Sequence, residues 1–385
     1  MKQDWETKRL DDVCNVEYGT RVVSKRDGGT VYPVYGGGGA TFFKDTFNRE
    51  DCFIVARFAM SQQCTRFVQG KFFLNDSGLS VKPKNQKEIL QEFLNLQLLY
   101  LNDNIYSLAR GTAQKNLDLS AFRNIKIYYP KSLSEQLRIV SILDEAFAAI
   151  TQAKANAEQN LKNTKELFES YLQGVFEEKG EGWEEKTLKE ISLEFARGKS
   201  KHRPRGDASL LDGEYPLIQT GDVSNSDHWI NSYSQTYNEK GLAQSKLWPK
   251  GTVCIAIVGS NVAETAILNF EACFPDSVIG IVVNPKKANN EYVDYLLQFF
   301  KAYLKEKGKG TARDNINLAT FEFQKFPFPN VETQIQIVSR FHLLSTETKR
   351  LESIYKKKIA DLEDLKKSLL EKAFKGELVL ETESV

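Results

Sequence analysis

The chain has 385 residues, 41% hydrophobic and 27% charged, a length suited to two or three domains and a composition that excludes the disordered and fibrous classes. With 52 Lys and Arg against 51 Asp and Glu, the net charge is +1, so bulk charge announces no polyanion partner and a surface for one must come from segregated charge. MKQDWETKRLDD contains no apolar leader core, and no apolar run approaches the roughly 18–20 residues of a membrane span, so a cytoplasmic protein with no membrane partner is expected.

The first globule is expected over residues 1–132. It opens on Trp5-Glu6-x-Lys8-x-Leu10 and passes through a basic stretch with Arg21, Lys25 and Arg26, then the glycine run after Tyr35. Those glycines permit either close backbone approach to a ligand or a simple turn. An apolar strand at 52–56 leads to Arg57 and a loop carrying Gln62 and Gln63. Asp76-Ser77 precedes a further apolar strand, and 88–101 has the apolar spacing of a helix. GTAQKNLDL, preceded by Arg110 and containing Gln114 and Lys115, reads as a small-residue turn into the strand IKIYYP, which ends at Pro130.

A helix of about 45 residues follows, expected over 133–179 with Ser134 as its N-cap. Val140, Leu143, Phe147, Ile150, Lys154, Ala157, Leu161, Thr164, Phe168, Tyr171 and Val175 recur at 3-4 spacing, the pattern of a coiled-coil seam in which only Lys154 and Thr164 are polar. At 1.5 Å per residue such a helix is nearly 70 Å long, marginal alone and rigid when packed against a partner.

The chain then repeats itself. Trp183-Glu184-x-Lys186-x-Leu188 opens a second globule, expected over 180–331. Arg197, Lys199, Lys201, Arg203 and Arg205 crowd a loop broken by Gly198 and Pro204, with His202 among them. Gln219 and Thr220 follow a Tyr-Pro step like the one before the glycine run; 252–258 and 278–283 read as strands, Asn261 lies in the loop after the first of them, and 291–304 reads as a helix. Asp276-Ser277 repeats Asp76-Ser77, GTARDNINL with Arg313 repeats GTAQKNLDL with five of nine positions identical, and a second proline-marked strand ends at Pro329. ETQIQIV then stands where SEQLRIV stood, opening a second long helix over 332–376 ahead of a tail at 377–385. Its seam includes Phe341, Leu351, Tyr355, Leu362 and Leu369, and the two helices are expected to pair antiparallel; the lysines of 356–358 suit a solvated face.

The fold class is therefore α+β: two similar globules of mixed strands and helices, separated by a pair of long antiparallel coiled-coil helices with approximate twofold symmetry. Two related modules at fixed separation match the pseudo-symmetry of duplex DNA. Arg and Lys suit phosphate or guanine, and Asn and Gln pair with adenine. The basic loops thus suit DNA contact, with solvated loops as the alternative. No nucleotide-binding loop, no H-E-x-x-H and no histidine beside a nucleophile is present, so no catalytic residue is expected. The scattered cysteines Cys14, Cys52, Cys64, Cys254 and Cys273 offer no zinc spacing, and they are expected reduced and partly buried.

In the W-x-x-x-x-L starts, YPVYGGGG and YPLIQTGDV, GTVCIAIVGS through FPDSVIGIVVNP, the doubled G-T-A-x-x-N motif, and SEQLRIV and ETQIQIV, the chain resembles type I restriction-modification specificity subunits in the family's own order. The resemblance implies two target recognition domains, each reading half of an asymmetric bipartite site in double-stranded DNA. It also implies two methyltransferase (M) subunits as partners, with S-adenosylmethionine bound there and no cofactor in this chain, and restriction (R) subunits completing the assembly. A coiled-coil scaffold whose globules bind proteins is the competing reading, and an enzyme with an unrecognised site is a third.

Overall fold

The computed structural model describes residues 4–202, 204, 206–308 and 316–378. It divides into two compact units: Met1–Gln159 together with Tyr355–Val385, and Asn160–Ile354. Each unit thus combines one globule with a part of both long helices.

The doubled motifs at the two edges of each globule are the two strands of one ribbon. Trp5–Arg9 pairs antiparallel with Lys126–Pro130, and Glu184–Thr187 pairs antiparallel with Lys325–Phe328. The repeated tryptophan and leucine are explained by packing. Trp5 meets Phe93 at 6.3 Å and Trp183 meets Tyr292 at 6.5 Å between ring centres, while Leu10 and Leu188 are fully buried.

In the first globule six strands line up in the order Cys14–Tyr18, Gly78–Pro83, Arg49–Ala56, Thr65–Leu74, Tyr32–Tyr35 and Ala40–Lys44, with the helix Gln91–Tyr100 packed against them. The second globule places Ser192–Arg197, Val278–Val283, Val253–Ala256, Thr265–Leu268 and Trp229–Ile230 in a five-stranded sheet, beside the helix Asn290–Phe299. It also has a smaller four-stranded sheet built around Leu211–Leu217. The central strands are the apolar runs, buried almost throughout, as a strand covered on both faces requires.

The long helices run Leu133–Glu177 and Val331–Lys375, 45 residues each. Ser134 is not the cap of the first. It lies inside the helix, and the Ser132 hydroxyl accepts the Glu135 N–H instead, because the chain already turns helical at Leu133. Asn330 caps the second helix, accepting the Thr333 N–H.

The glutamine shared by SEQLRIV and ETQIQIV fastens each helix to its globule. Gln136 is fully buried; its Nε2 donates to the carbonyls of Pro130 and Glu88, both at 2.8 Å, and its Oε1 accepts the Leu90 N–H at 2.9 Å. Gln334, equally buried, donates to Pro329 at 2.8 Å and Lys287 at 3.4 Å and accepts the Asn289 N–H at 2.8 Å. An amide side chain is needed there because the site offers two acceptors and one donor.

Within the first unit the helices are antiparallel, since Lys154 pairs with Glu363 at 2.5 Å while the Lys366 ammonium sits 5.0 Å over the Phe147 ring. That ion pair accounts for a lysine in an apolar seam. Phe374, near the end of the second helix, stacks on Tyr100 at 5.3 Å and meets Phe93 at 5.4 Å. In the second unit Phe176 of the central helix repeats this arrangement, stacked on Phe299 at 5.3 Å and meeting Tyr292 at 5.6 Å. Burying each phenylalanine contributes roughly 1.5–3 kcal/mol.

Of the seam positions, Val140, Ile150 and Phe341 are buried, and Phe147, Leu161, Phe168, Leu351, Tyr355, Leu362 and Leu369 are half-buried. Thr164 and Thr348 are buried too, their hydroxyls satisfied by carbonyls of their own helices at Asn160 and Ser345. Lys356, Lys357 and Lys358 are exposed. No helix among the described residues is long and apolar enough to cross a membrane.

Candidate nucleic-acid interface

In the first globule, backbone bonds gather four loops. The Gly19 N–H donates to Gly78, the Arg57 N–H to Ser77, the Met60 N–H to Lys115, and the Leu117 N–H to Arg57. Two glycines of the run after Tyr35 lock into the same cluster: a Cβ on Gly36 would lie 2.2 Å from the Ser77 hydroxyl, and one on Gly37 would lie 2.5 Å from the Phe58 carbonyl. Gly38 has open space around it. The first half of the run therefore serves close packing, and only the second half is open.

Arg57 and Lys115 are joined by this cluster, and Gln62, Gln63 and Gln114 lie on the same loops. The Arg57 guanidinium lies 4.8 Å from the Tyr18 ring centre and 4.4 Å from that of Phe58, with Nη1 3.5 Å from the Asp76 carbonyl. Gln62 and Gln63 are exposed, and their backbone carbonyls accept from Asn102 and Arg66. Lys115 lies 4.5 Å over Tyr106 and donates to its hydroxyl at 3.1 Å. GTAQKN is a tight hairpin between Ala109–Arg110 and Asn116–Leu117, with Gly111 at φ +111° and Gln114 exposed.

Arg21 is exposed, just beyond Gly19 and Thr20. Lys25 and Arg26 lie on the one-turn helix Ser24–Asp27, beside the outer hairpin. Arg26 is matched to Asp27 at 3.0 Å, which holds that carboxyl below its ordinary range, and Arg110 is matched to Asp118 at 2.5 Å. Local carboxylates thus offset two of the expected cations.

The second globule repeats the backbone frame. Gly198 donates to Val278, Ile257 to Ser277, and Ile316 to Ile257. The Arg197 guanidinium grips the Asp276 carbonyl, Nε at 2.8 Å and Nη2 at 2.5 Å. Lys199 and Lys201 are exposed while their backbones are tied down: the Lys199 carbonyl accepts from Ser245, and the Lys201 N–H donates to Gln244. His202 pairs with Asp207 at 2.7 Å. Arg203, Arg205 and Arg313 lie outside the described residues.

Gln219 and Thr220 open a short helix whose start is closed by the Gln219 N–H donating to the Asp222 carboxylate at 2.7 Å, and the Gln219 amide reaches Gln235 at 3.3 Å. Asn261, half-buried, ends the turn Gly259–Asn261. Sequence reasoning missed Tyr18 and Phe58, the rings that hold Arg57; the available signal was an aromatic residue before Gly19 and directly after Arg57. Lys246, which sits 4.2 Å over the buried Trp248, is matched to the Glu194 carboxylate. The five cysteines are all buried, and burial pushes the thiols of Cys14 and Cys64 up to about 12 and about 11. Among the described residues no acidic, His or Cys cluster is placed to hold a metal.

The doubled frame coincides with a doubled match: the family described as type I restriction modification DNA specificity domain matches residues 2–162 and again 180–361. The chain belongs to that family, the type I restriction-modification specificity subunits. A Methanocaldococcus jannaschii protein that carries the name of the type I restriction enzyme MjaX specificity subunit is 24% identical over 333 residues, covering 81% of this chain and 74% of that one. The fold is shared with the HsdS subunit from Thermoanaerobacter tengcongensis at TM-score 0.63 and 19% identity, over 98% of both chains. A chain solved in work on complex assembly and conformational transition of the type I R-M system superposes at TM-score 0.72 with 18% identity, covering 98% of this specificity chain and 99% of its own length.

Proposed function

We propose that this specificity subunit reads an asymmetric, bipartite DNA site, one half with each globule, and holds M and R subunits in register with it while carrying no active site itself. The observation that supports this most is the repetition of one backbone frame, the Asp-Ser turn with its flanking strand ends, carrying different side chains in the two globules. A common frame with unlike side chains is what two unlike half-sites require. S-adenosylmethionine belongs to the M partner in this reading, and the complex works in the cytoplasm.

The test is protection of DNA by the chain assembled with M subunits. Two short protected patches roughly one helical turn, about 34 Å, apart are expected. Affinity should fall steeply as salt rises, because cations on the loops displace counterions from phosphate. Sequence-indifferent protection overturns the proposal, and a chain that ignores DNA but captures a protein would favour the scaffold reading.

A further inference from the structure

Register and backbone bonds fix which residues of the two globules are counterparts. Tyr18 lies opposite Leu79 and is followed by Gly19 donating to Gly78; Arg197 lies opposite Ile279 and is followed by Gly198 donating to Val278. Tyr18 and Arg197 therefore occupy one position. Arg57 donates to Ser77 and accepts from Leu117, whereas Ile257 donates to Ser277 and accepts from Ile316, so these two occupy another. The two positions flank one strand of each sheet from opposite sides: Gly78–Pro83 runs between Cys14–Tyr18 and Arg49–Ala56, and Val278–Val283 runs between Ser192–Arg197 and Val253–Ala256.

Each globule thus presents one guanidinium to the carbonyl of the Asp in its Asp-Ser turn, yet supplies it from opposite flanks of the strand that follows. A neutral carbonyl orients an arginine without offsetting its charge, unlike the carboxylates that match Arg26 and Arg110. The free edges also differ. Arg197 gives its Nε and Nη2 side to the carbonyl and leaves its Nη1 end open, whereas Arg57 uses only Nη1 and leaves the Nε and Nη2 edge open. A fixed planar fork with a free edge is the geometry that recognises guanine O6 and N7, while a phosphate anchor needs only a point charge.

We infer that Arg57 and Arg197 are the base readers of the two globules, each contacting a guanine in its own half-site, and that exchange of the arginine across the strand after the Asp-Ser turn is one source of the difference between the half-sites. This rests on the DNA-reading function proposed above.

Methylation profiling of cells carrying the chain with its M partner tests both. The wild-type profile should give one bipartite site; its absence overturns the DNA-reading function and this inference with it. Given that site, Arg57→Ala should relax a single base pair in one half and Arg197→Ala a single base pair in the other, each losing about 5- to 150-fold discrimination at that position. Arg57→Lys and Arg197→Lys should fall between wild type and the alanine variants, since an ammonium can still reach guanine but lacks the planar fork. Arg57→Met and Arg197→Met, which keep the apolar stem, give the same readout if alanine destabilises the loop, and thermal melting of each variant identifies that case. A uniform loss at every position or an unchanged profile overturns the base-reading role while leaving the DNA-reading function standing.

Discussion

Replacing Gln136 by leucine tests whether the buried glutamine fastens the central helix to the first globule. The substitution keeps shape and removes three hydrogen bonds: donors to Pro130 and Glu88 at 2.8 Å each and the acceptor for the Leu90 N–H at 2.9 Å. The orphaned N–H costs about 1–3 kcal/mol, and two carbonyls that each lose a partner add about 1 kcal/mol apiece, so a loss of about 3–5 kcal/mol is expected. Equilibrium unfolding in urea measures the size of the loss, and hydrogen exchange locates it in the segment around Leu90 and the start of the helix. Gln334→Leu should show a smaller loss confined to the second unit, because one of its donor arms is stretched to 3.4 Å. A Gln136→Leu protein within 1 kcal/mol of wild type, or one whose exchange rises in the second unit instead, would refute the reasoning.

Phe374→Ala should cost about 3 kcal/mol, the low end for a buried phenylalanine because it lies close to the helix end, and hydrogen exchange should rise in Gln91–Tyr100. Gly111→Ala should open the GTAQKN hairpin, since its Cβ would meet the Gln114 carbonyl at 2.3 Å with φ at +111°; faster exchange at Met60, whose N–H bonds to Lys115, is the readout. The ammonium of Lys8 and then the Tyr129 hydroxyl hold the Glu88 carboxyl below its ordinary value. The stability it contributes relative to Glu88→Gln is therefore complete above the unfolded value near 4.5 and disappears as pH falls through the lower folded one, a difference that paired acid titrations of the two proteins would detect. With every cysteine buried and the thiols of Cys14 and Cys64 raised to about 12 and about 11, a thiol reagent at pH 8 should label the native chain slowly and the unfolded chain at once; rapid native labelling would contradict the burial.

The long helices were legible because apolar residues at 3-4 spacing persist over many turns, and the duplication because its motifs keep their order. The tryptophans, prolines and glutamines of those motifs turned out to be one ribbon and one pin per globule, which explains why they recur together. The helix cap was misplaced by two residues because Ser132 and Ser134 are chemically equivalent in sequence and only the backbone path tells them apart. What was not legible rests on contacts between distant residues. Arg57 could be nominated from its loop, but its carbonyl partner is 19 residues away and that of Arg197 is 79 residues away. Arg110 likewise read as a free cation until the folded hairpin set Asp118 beside it, whereas the partner of Arg26 is the next residue, Asp27, and was legible in the sequence.

The first unit is built from both ends of the chain, with Tyr355–Val385 joining Met1–Gln159, whereas the second is the continuous segment Asn160–Ile354. On a ribosome, that ordering inverts the usual sequence of events. The globule made first waits for Phe374 to cover Phe93 and Tyr100, through the synthesis of more than two hundred further residues, roughly 10–50 s at typical elongation rates. During that interval an aromatic face is open to solvent, while the later globule can close as soon as Ile354 emerges. The nascent chain therefore matures from its middle outward, and its N-terminal globule is the last to be finished.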